Sequence, residues 1–496
     1  MNFIIYNIAV MIDVQVRIHD RFVVEFKIGY VVRKDKPRSD FMINTWMFVP
    51  NTLDINYDTY TKNQFYRDVK SNIRLITPIY SLKEVANEEA LPFQFLEVAV
   101  NELNVEATAE NFAEAEYQVK MFCSITKSAL RREVDRVWRY SDTASRLKVI
   151  EAYILRVEGI LKKYRSLCEL LPVDGAGKDI RVFHSFGDEF LSNQVDFYTF
   201  KLLERLRKKD KECFGLVEER LLKLVRDEVV YRRSRGFLVV ERHSPNRNRA
   251  ALFRRRMLRL YTESHLFLKA DRKKDGAMVE QLYFSIAAGI SMIFATLISF
   301  SFQQKYGNFT TPLFIALVVS YMLKDRIKEL TRYYFVHRLA KKYFDNKTTI
   351  SIKDKPIGWI KECVDFITED RVPEEVMAMR DRSDILEANN RQMAEKIILY
   401  RTLVRIDGQV LDENIQYDVS GVHNILRFNV SSFILKMENP EVPLAVPKEE
   451  GGYEIINGER IYYINYLLQL RSSENVDYKR FRLILSRNGI EGIEKM

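Results

Sequence analysis

Residues 282–302, LYFSIAAGISMIFATLISFSF, form an uncharged run of 21 residues, and residues 306–323, YGNFTTPLFIALVVSYML, form a second uncharged run of 18. At a helical rise of about 1.5 Å per residue, the first run would extend about 31 Å and the second about 27 Å. The hydrocarbon core of a bilayer is about 30 Å thick. The two runs therefore predict a transmembrane hairpin with a short turn at residues 303–305.

Basic residues collect beside this predicted hairpin. Between Arg232 and Lys274 there are 14 Lys and Arg against three acidic residues, a surplus of 11 that accounts for the net charge of +10. More basic residues follow the second run, whereas the turn carries only Lys305. The positive-inside rule then predicts that both flanks lie in the cytosol. We therefore expect a multi-pass membrane protein with both termini cytosolic. The lack of a targeting signal and the compact, linker-poor chain favour the cell inner membrane and a prokaryotic origin.

Small residues recur at four-residue spacing in both apolar runs, and such rows allow two helix backbones to approach closely. Two interpretations stay open, namely packing within the hairpin and oligomerisation. Neither run holds a charged side chain, so the sequence does not indicate a proton relay or a charged permeation path. The predicted membrane-helix packing residues are Ser285, Gly289, Ser291, Ala295, Ser299, Ala316 and Ser320.

The remaining pattern predicts an α+β membrane protein with β-rich ends around helical segments. A long helical pattern, with apolar residues three and four positions apart, begins at Leu147, Ile150, Ile154 and Val157. The apolar face of this helix is wide, which favours a helical bundle or stalk over a free coiled coil. We also hypothesise that the two β-rich ends pack together. The predicted division is a β-rich N-terminal cytosolic domain (1–85), a helical bundle or coiled-coil-like region (86–243), a basic juxtamembrane segment (244–281), the transmembrane hairpin (282–323), a mainly helical region (324–400) and an antiparallel β-rich domain (401–496).

Within the last of these segments, Asn457-Gly458 lies between two β-forming runs. An Asn-Gly pair in that setting predicts a type I′ hairpin turn, because both residues tolerate a positive φ.

The basic segment before the first apolar run has an amphipathic pattern. On a helix, Phe253, Met257 and Leu260 would form an apolar stripe beside an arginine-rich face. An interfacial helix on anionic lipid is the favoured interpretation, and an RNA-binding stripe and an ordinary solvated surface are the alternatives. Nucleic acid is disfavoured because no aromatic-platform motif accompanies the arginines. The predicted lipid-contacting residues are Arg247, Arg249, Arg254, Arg255, Arg256 and Arg259.

The sequence contains no recognisable catalytic, cofactor-binding or metal-binding motif. Four separated cysteines form no CxxC pair and six histidines form no HExxH, so neither a zinc site nor a disulfide framework is predicted. His184, Ser185 and Asp188 lack the G-x-S-x-G elbow of a nucleophilic site. Whether the protein is an enzyme stays uncertain, with the pattern leaning against it, and a small-molecule ligand stays unknown.

The first residues of the second run carry one resemblance. Tyr306, Gly307, Asn308 and Phe309 resemble the Tyr-Gly-Met-Asn-Phe loop of CorA-type divalent cation channels, which are pentamers. The resemblance implies a pore-entrance loop at the first three of these residues. The methionine is absent and 173 residues follow Leu323, where that family nearly ends, so we do not assign the chain to the family.

Three functions follow from these features. The leading hypothesis is a membrane-anchored cytosolic scaffold or regulatory protein that acts by protein–protein interaction and oligomerisation. Its expected partners are anionic membrane lipids and either a protein partner or further copies of the chain. The first alternative is an oligomeric ion channel or membrane-perturbing effector gated by the cytosolic domains, and the second is a membrane-bound enzyme whose site the sequence does not reveal.

Overall fold

The computed structural model describes residues 11–33, 36–171, 177–340, 343–380, 395–449, 451–473 and 475–496. Within these residues the chain is mixed helix and sheet. The strands are β1 (Ile12–Asp20), β2 (Val23–Val31), β3 (Arg38–Val49), β4 (Val69–Leu75), β5 (Lys269–Lys274), β6 (Asn346–Ile352), β7 (Lys355–Ile367), β8 (Lys396–Asp407), β9 (Gly421–Asn429), β10 (Glu441–Pro447), β11 (Tyr453–Glu459), β12 (Tyr462–Ser472), β13 (Val476–Ser486) and β14 (Gly489–Lys495).

The helices vary from single turns to about 30 residues. They are α1 (Lys62–Asp68), α2 (Leu82–Val85), α3 (Leu91–Val105), α4 (Ala109–Arg136), α5 (Thr143–Leu170), α6 (Gly177–Lys209), α7 (Lys211–Ser234), α8 (Pro245–Glu263), α9 (Ala277–Tyr306), α10 (Thr311–Ala340), α11 (Glu374–Arg380), α12 (Gly408–Glu413) and α13 (Ser431–Ile434).

The chain divides into two compact units, each assembled from separate stretches. The first unit comprises Met1–Ile73, Lys269–Leu411 and His423–Met496, and it holds most of the strands together with α9 and α10. The second unit comprises Arg74–Leu268 and Asp412–Val422 and is mainly helical.

A large antiparallel sheet organises the first unit. Its strand order is β14-β13-β12-β3-β8-β7-β6-β5, and a four-stranded sheet has the order β1-β2-β9-β4. Strand β3, from the N-terminal part of the chain, pairs with β12 on one side and β8 on the other, so that Trp46 lies opposite both Leu467 and Leu399. This pairing confirms the hypothesis that the two β-rich ends pack together.

The core of the first unit lies between these two sheets. Phe26 of the smaller sheet contacts Tyr466 of the larger one with ring centroids 5.2 Å apart, and Tyr30 contacts Phe41 at 5.3 Å. On the opposite face of the larger sheet, Trp46 packs with Val376 of α11 in a second apolar cluster. Alternate residues of β3 therefore face two different cores, as the period of two along a strand requires.

The predicted turn at Asn457-Gly458 is wrong. Both residues lie inside β11, which forms a separate two-stranded ribbon with β10, and Asn457 pairs with Pro443. The chain reverses instead between Pro447 and Tyr453, where Gly451 and Gly452 have positive φ values. An Asn-Gly pair permits a turn, but the cross-strand pairing of the residues around it determines where the chain reverses.

The second unit is a helical bundle in which α6 packs against α4, α5, α7 and α8. The sequence pattern of α5 places Ile150, Val157 and Tyr164 in its core. Helices α6 and α7 are separated at Asp210, whose carboxylate accepts a hydrogen bond from the Cys213 backbone N–H at 3.0 Å and caps α7. Asp at this position satisfies one of the donors that a helix start leaves without a partner.

The predicted transmembrane hairpin at residues 282–302 and 306–323 is wrong. In the described part of the chain, one helix, Ala277–Tyr306, is long and apolar enough to cross a bilayer by length and composition. Helix α10 begins only at Thr311 and Lys324 follows. Its uncharged part therefore extends only about 20 Å, which is too short for a bilayer core of about 30 Å.

The strand pairing excludes a different arrangement in which α9 alone would cross. Strand β5 precedes α9, β6 follows α10, and the two strands pair directly with each other. Helix α9 therefore starts, and α10 ends, at the same edge of the sheet. The expectation of a two-pass membrane protein is therefore wrong. The expected location, as a multi-pass inner-membrane protein with cytosolic termini, is wrong for the same reason. The structure supports a mixed helix–sheet protein without a transmembrane hairpin.

Candidate association surfaces

Helices α9 and α10, called here the helix pair, are fixed to the sheet at their base by two aspartates. Asp275, which precedes α9, accepts hydrogen bonds from Lys361 Nζ at 2.9 Å and from the Phe344 backbone N–H at 3.2 Å. Gly276 follows with a φ of 72° and begins the helix, a conformation that glycine adopts without steric cost. The chain is thus held at the point where it leaves the sheet.

Asp345 fixes the point where the chain returns. Its carboxylate accepts from Tyr66 Oη and from the Val364 backbone N–H, both at 2.9 Å, and it pairs with Lys62 at 3.2 Å. Lys62 also pairs with Asp365 at 2.8 Å. Burial by itself would lower the pKa of Lys62, but the two carboxylates outweigh burial and raise it. Lys62 therefore stays charged, and the base of the helix pair is an ionic cluster.

The small residues predicted for helix packing divide into two groups. Ser291, Ala316 and Ser320 are buried, and Ser320 Oγ donates a hydrogen bond to the Ala295 carbonyl oxygen at 3.2 Å across the two helices. Ser299 is half-buried and bonds within its own helix, to the carbonyl oxygen of the same Ala295. This group provides the close contact between α9 and α10.

The second group faces away from the pair. Ser285 and Gly289 are exposed, and a side chain added at Gly289 would meet no atom within 4 Å. Ile293 and Leu297 continue the same four-residue row and are 62% and 61% exposed. We call Ser285, Gly289, Ile293 and Leu297 the outer row of α9. Only 11% of the most apolar stretch of α9 is buried, so none of the residues that the structure describes covers this face.

The residues that resemble a pore-entrance loop form the tip of the helix pair. Gly307 has a φ of 77° and ends α9. Asn308 Oδ1 accepts a hydrogen bond from Gln303 Nε2 at 2.7 Å, and Tyr306 packs against Phe302 with ring centroids 5.7 Å apart. These are the contacts of a local helix-to-helix turn.

Some basic residues of α8, in the second unit, contact the helical bundle, and others are exposed. Arg254 pairs with Glu189 of α6 at 2.8 Å, and Arg255 Nε donates to Asn193 Oδ1 at 2.9 Å. Arg247 pairs with Glu241 and Arg259 with Glu263, while Arg249 and Arg256 are exposed. Two of the six predicted lipid-contacting arginines therefore bind the helical bundle.

The apolar stripe predicted on α8 lies on its outer side. Phe253 and the neighbouring Leu252 are about two thirds exposed, and Met257 and Leu260 are about half exposed. Helix α8 contacts the bundle through its arginines, through the buried Ala251 and Leu258, and through Tyr261, which stacks on Phe183 of α6. It presents the other apolar side chains outward. The sequence pattern did not indicate that Arg254 and Arg255, within the arginine-rich face, bind α6.

Helix α6 carries a buried ionic cluster that the sequence did not reveal. Arg165 of α5 binds Glu228 of α7 through two parallel hydrogen bonds of 3.0 and 2.7 Å, and its Nε bonds Asp188 at 2.9 Å. Arg232 pairs with Asp196. Burial outweighs that pairing and raises the pKa of Asp196. Opposite charges meet at hydrogen-bond distance throughout the cluster, which is the arrangement of a structural network.

The three residues considered for nucleophilic chemistry do not form a site. His184 is buried, its ring stacks on Tyr164 at 4.3 Å and its Nε2 lies 2.8 Å from the Tyr164 carbonyl oxygen. Burial lowers the pKa of His184 and keeps the ring neutral. Asp188 is engaged by Arg165 and by Tyr231, so no base is directed at Ser185.

Metal chemistry finds no support in the residues that the structure describes, since they contain no group of three His, Cys, Asp or Glu placed to hold an ion. Comparisons with known proteins give no further indication: no protein-family model, no curated protein and no solved structure matches the chain.

Proposed function

We propose that the protein is a scaffold that acts by protein–protein association, and that the helix pair is its association surface. The observation that carries the proposal is the uncovered apolar face of α9. Burying an exposed leucine or isoleucine side chain contributes about 1.5–3 kcal/mol, and contiguous apolar patches larger than a few hundred Å² mark interaction sites in proteins. A face of this composition therefore favours a bound state.

The occupant that suits this face best is a second copy of the same helix pair. The outer row begins with Ser285 and Gly289, where a second helix meets little side-chain volume and the interaxial distance can be short. The next residues, Ile293 and Leu297, are apolar and exposed, so the same row on a second copy is complementary to them. Two helix pairs that meet through this row form a four-helix bundle with two-fold symmetry.

The test is the mass of the full-length protein in solution, measured by light scattering after size exclusion. We expect a dimer or a higher oligomer for the natural chain. Replacing Ile293 and Leu297 together by Ser (Ile293→Ser, Leu297→Ser) removes apolar area from the outer row and shifts the mass to the monomer.

Leu155→Ser is the matched control, because Leu155 is a 70% exposed leucine on α5, and it should leave the mass unchanged. A monomeric natural protein, or equal masses for the outer-row variant and the natural chain, would exclude self-association through this row.

A second candidate function, attachment to an anionic lipid surface, is supported by α8. Its exposed Phe253 and Met257 lie beside Arg249 and Arg256. Amphipathic helices of this kind lie in the lipid interface, and each basic residue near an anionic surface contributes about 1 kcal/mol. The proposal is peripheral contact and includes no membrane span. The channel alternative is not proposed, since it depends on the two spans that the structure overturns.

Vesicle flotation tests this contact. We expect the full-length protein to bind vesicles containing phosphatidylglycerol, and Phe253→Ser with Met257→Ser to weaken that binding at least tenfold. Leu216→Ser with Val230→Ser, at two exposed positions of α7, is the control. Equal binding of all variants, or equal binding to neutral vesicles, would contradict the proposal.

A further inference from the structure

A cleft of about 370 Å³ lies on the larger sheet, on the opposite face from the inter-sheet core. It is called here the Trp359 cleft. Small-molecule sites typically measure about 300–1,000 Å³. The cleft is lined by Arg38, Lys347, Thr349, Pro356, Ile357, Gly358, Trp359, Arg405 and Asp407.

The strand register brings the functional side chains of the cleft together. Trp359 of β7 lies opposite Arg405 of β8 and opposite Thr349 of β6. Lys361 lies two residues along β7 and opposite Lys347. Because side chains at a spacing of two share one face of a sheet, the indole ring is surrounded by cations from three strands.

Distances to the indole ring support this arrangement. Arg405, Lys361 and Lys347 have their charged groups 5.2, 5.3 and 5.8 Å from the ring centroid of Trp359. Cations within about 6 Å of an indole are attracted by its face. The ring is half-buried, so part of it stays open to a ligand.

The charges around the ring are not balanced. Arg405 binds Asp40 through two hydrogen bonds of 2.6 and 2.9 Å, and Lys361 pairs with Asp275. Arg38 lies 3.6 Å from Asp407. Lys347 has no acidic partner in the part of the chain that the structure describes. Asp40 and Asp407 thus position Arg405 and Arg38 at the cleft. The ammonium group of Lys347 stays available to an anion.

Gly358 lines the cleft beside Trp359. A Cβ added there would lie 2.2 Å from the Arg405 carbonyl oxygen. This close approach of β7 to β8 leaves no room for a side chain at position 358.

We propose that the Trp359 cleft binds a nucleoside monophosphate, with the base against the indole and the phosphate against Lys347 and Arg405. Base–aromatic stacking contributes about 1–3 kcal/mol, and an arginine held in a fixed plane suits phosphate recognition. A long nucleic acid is disfavoured because Asp40, Asp407 and Asp271 interrupt the basic face. The cleft includes no residue of the outer row of α9 and none of α8.

Titration calorimetry with the full-length protein tests the proposal, using AMP and UMP as probes and adenosine and inorganic phosphate as separate arms. We expect a nucleoside monophosphate to bind at least tenfold more tightly than either part alone. Trp359→Leu and Lys347→Gln should each weaken binding about tenfold, whereas Trp359→Phe should retain most of it. Lys269→Gln, which removes an exposed cation from the edge strand β5, is the control and should have no effect.

Four results would overturn the proposal. Binding of phosphate as tightly as AMP would remove the role of the indole, and binding of adenosine as tightly as AMP would remove the role of the cations. Tighter binding of a single-stranded oligonucleotide with a steep salt dependence would identify a nucleic-acid surface instead. Absence of binding by either nucleotide would end the assignment. The oligomer mass, measured in the same samples, tests the association proposal separately.

Discussion

At the scale of single residues, two helical glycines in the second unit meet opposite surroundings. A Cβ at Gly187 of α6 would lie 2.1 Å from Tyr164 Oη and 3.1 Å from Cys123 Sγ, whereas a Cβ at Gly159 of α5 would meet no atom within 4 Å. The Tyr164 hydroxyl also donates to the His184 carbonyl oxygen at 3.0 Å. The bundle is therefore closely packed at Gly187 and leaves no room for a side chain there.

The two glycines give a matched prediction. Gly187→Ala should lower the free energy of unfolding by about 1–3 kcal/mol, because it overpacks a filled interior. Gly159→Ala should raise it by about 0.5–1 kcal/mol, because alanine has the higher helix propensity and here meets open space. Urea unfolding of both variants measures the difference. Equal effects of the two substitutions would show that α5 and α6 do not pack as described.

His265 makes stability depend on pH. It packs edge-on against Tyr117 with ring centroids 5.7 Å apart, and burial, together with Lys120, lowers its pKa to about 4. Above pH 6.5 the ring is neutral in the folded and unfolded chain alike. As the pH falls from about 6.5 to 4, the unfolded chain binds a proton first, so stability is lost across that interval.

The expected loss is about 3 kcal/mol, since each pKa unit corresponds to about 1.4 kcal/mol. His265→Phe keeps a ring against Tyr117 and should lack this component of the acid dependence. Urea unfolding of both proteins at pH 7, 5.5 and 4 measures the difference between them. If the two pH profiles are parallel, His265 is not the group that titrates.

At the scale of elements, the sequence pattern predicts which helices and strands form more reliably than it predicts which of their faces are covered. The segment predicted to be β-rich at residues 1–85 contains β2 and β3, because alternation and β-branched content are local. The predicted apolar stripe of α8 is present and faces outward. Arg254 and Arg255 of the same helix bind Glu189 and Asn193 of α6. Those partners are about 60 residues away in sequence, so no local pattern could indicate them.

In the helix pair, too, the sequence pattern indicates a local feature, the apolar helices, but not the long-range contacts that hold them. An uncharged run predicts an apolar helix, but Gly307 and the turn that follows remove residues 307–310 from the second helix. What remains before Lys324 is too short to span a bilayer. The fixation of the base by Asp275 and Asp345 depends on β7 and α1, which lie far along the chain.

At the scale of the whole molecule, each unit is built from segments that are distant in sequence. Strand β3 inserts between β12 and β8, and residues Asp412–Val422 join the helical unit although residues on both sides of them belong to the first. A division of the sequence into consecutive domains cannot represent such interleaving, because composition and periodicity carry no information about pairing partners. The Trp359 cleft was missed for the same reason, since its residues come from four strands.

The central claim is that two copies meet through the outer row of α9, and cysteine cross-linking tests it most directly. In a full-length background carrying Cys168→Ser, because the other three cysteines are buried, Ile293→Cys places one thiol in the outer row and Leu155→Cys provides the exposed control on α5. Under mild oxidation the account predicts a covalent dimer for Ile293→Cys and little for Leu155→Cys. Equal cross-linking at both positions, or none at position 293, would contradict it.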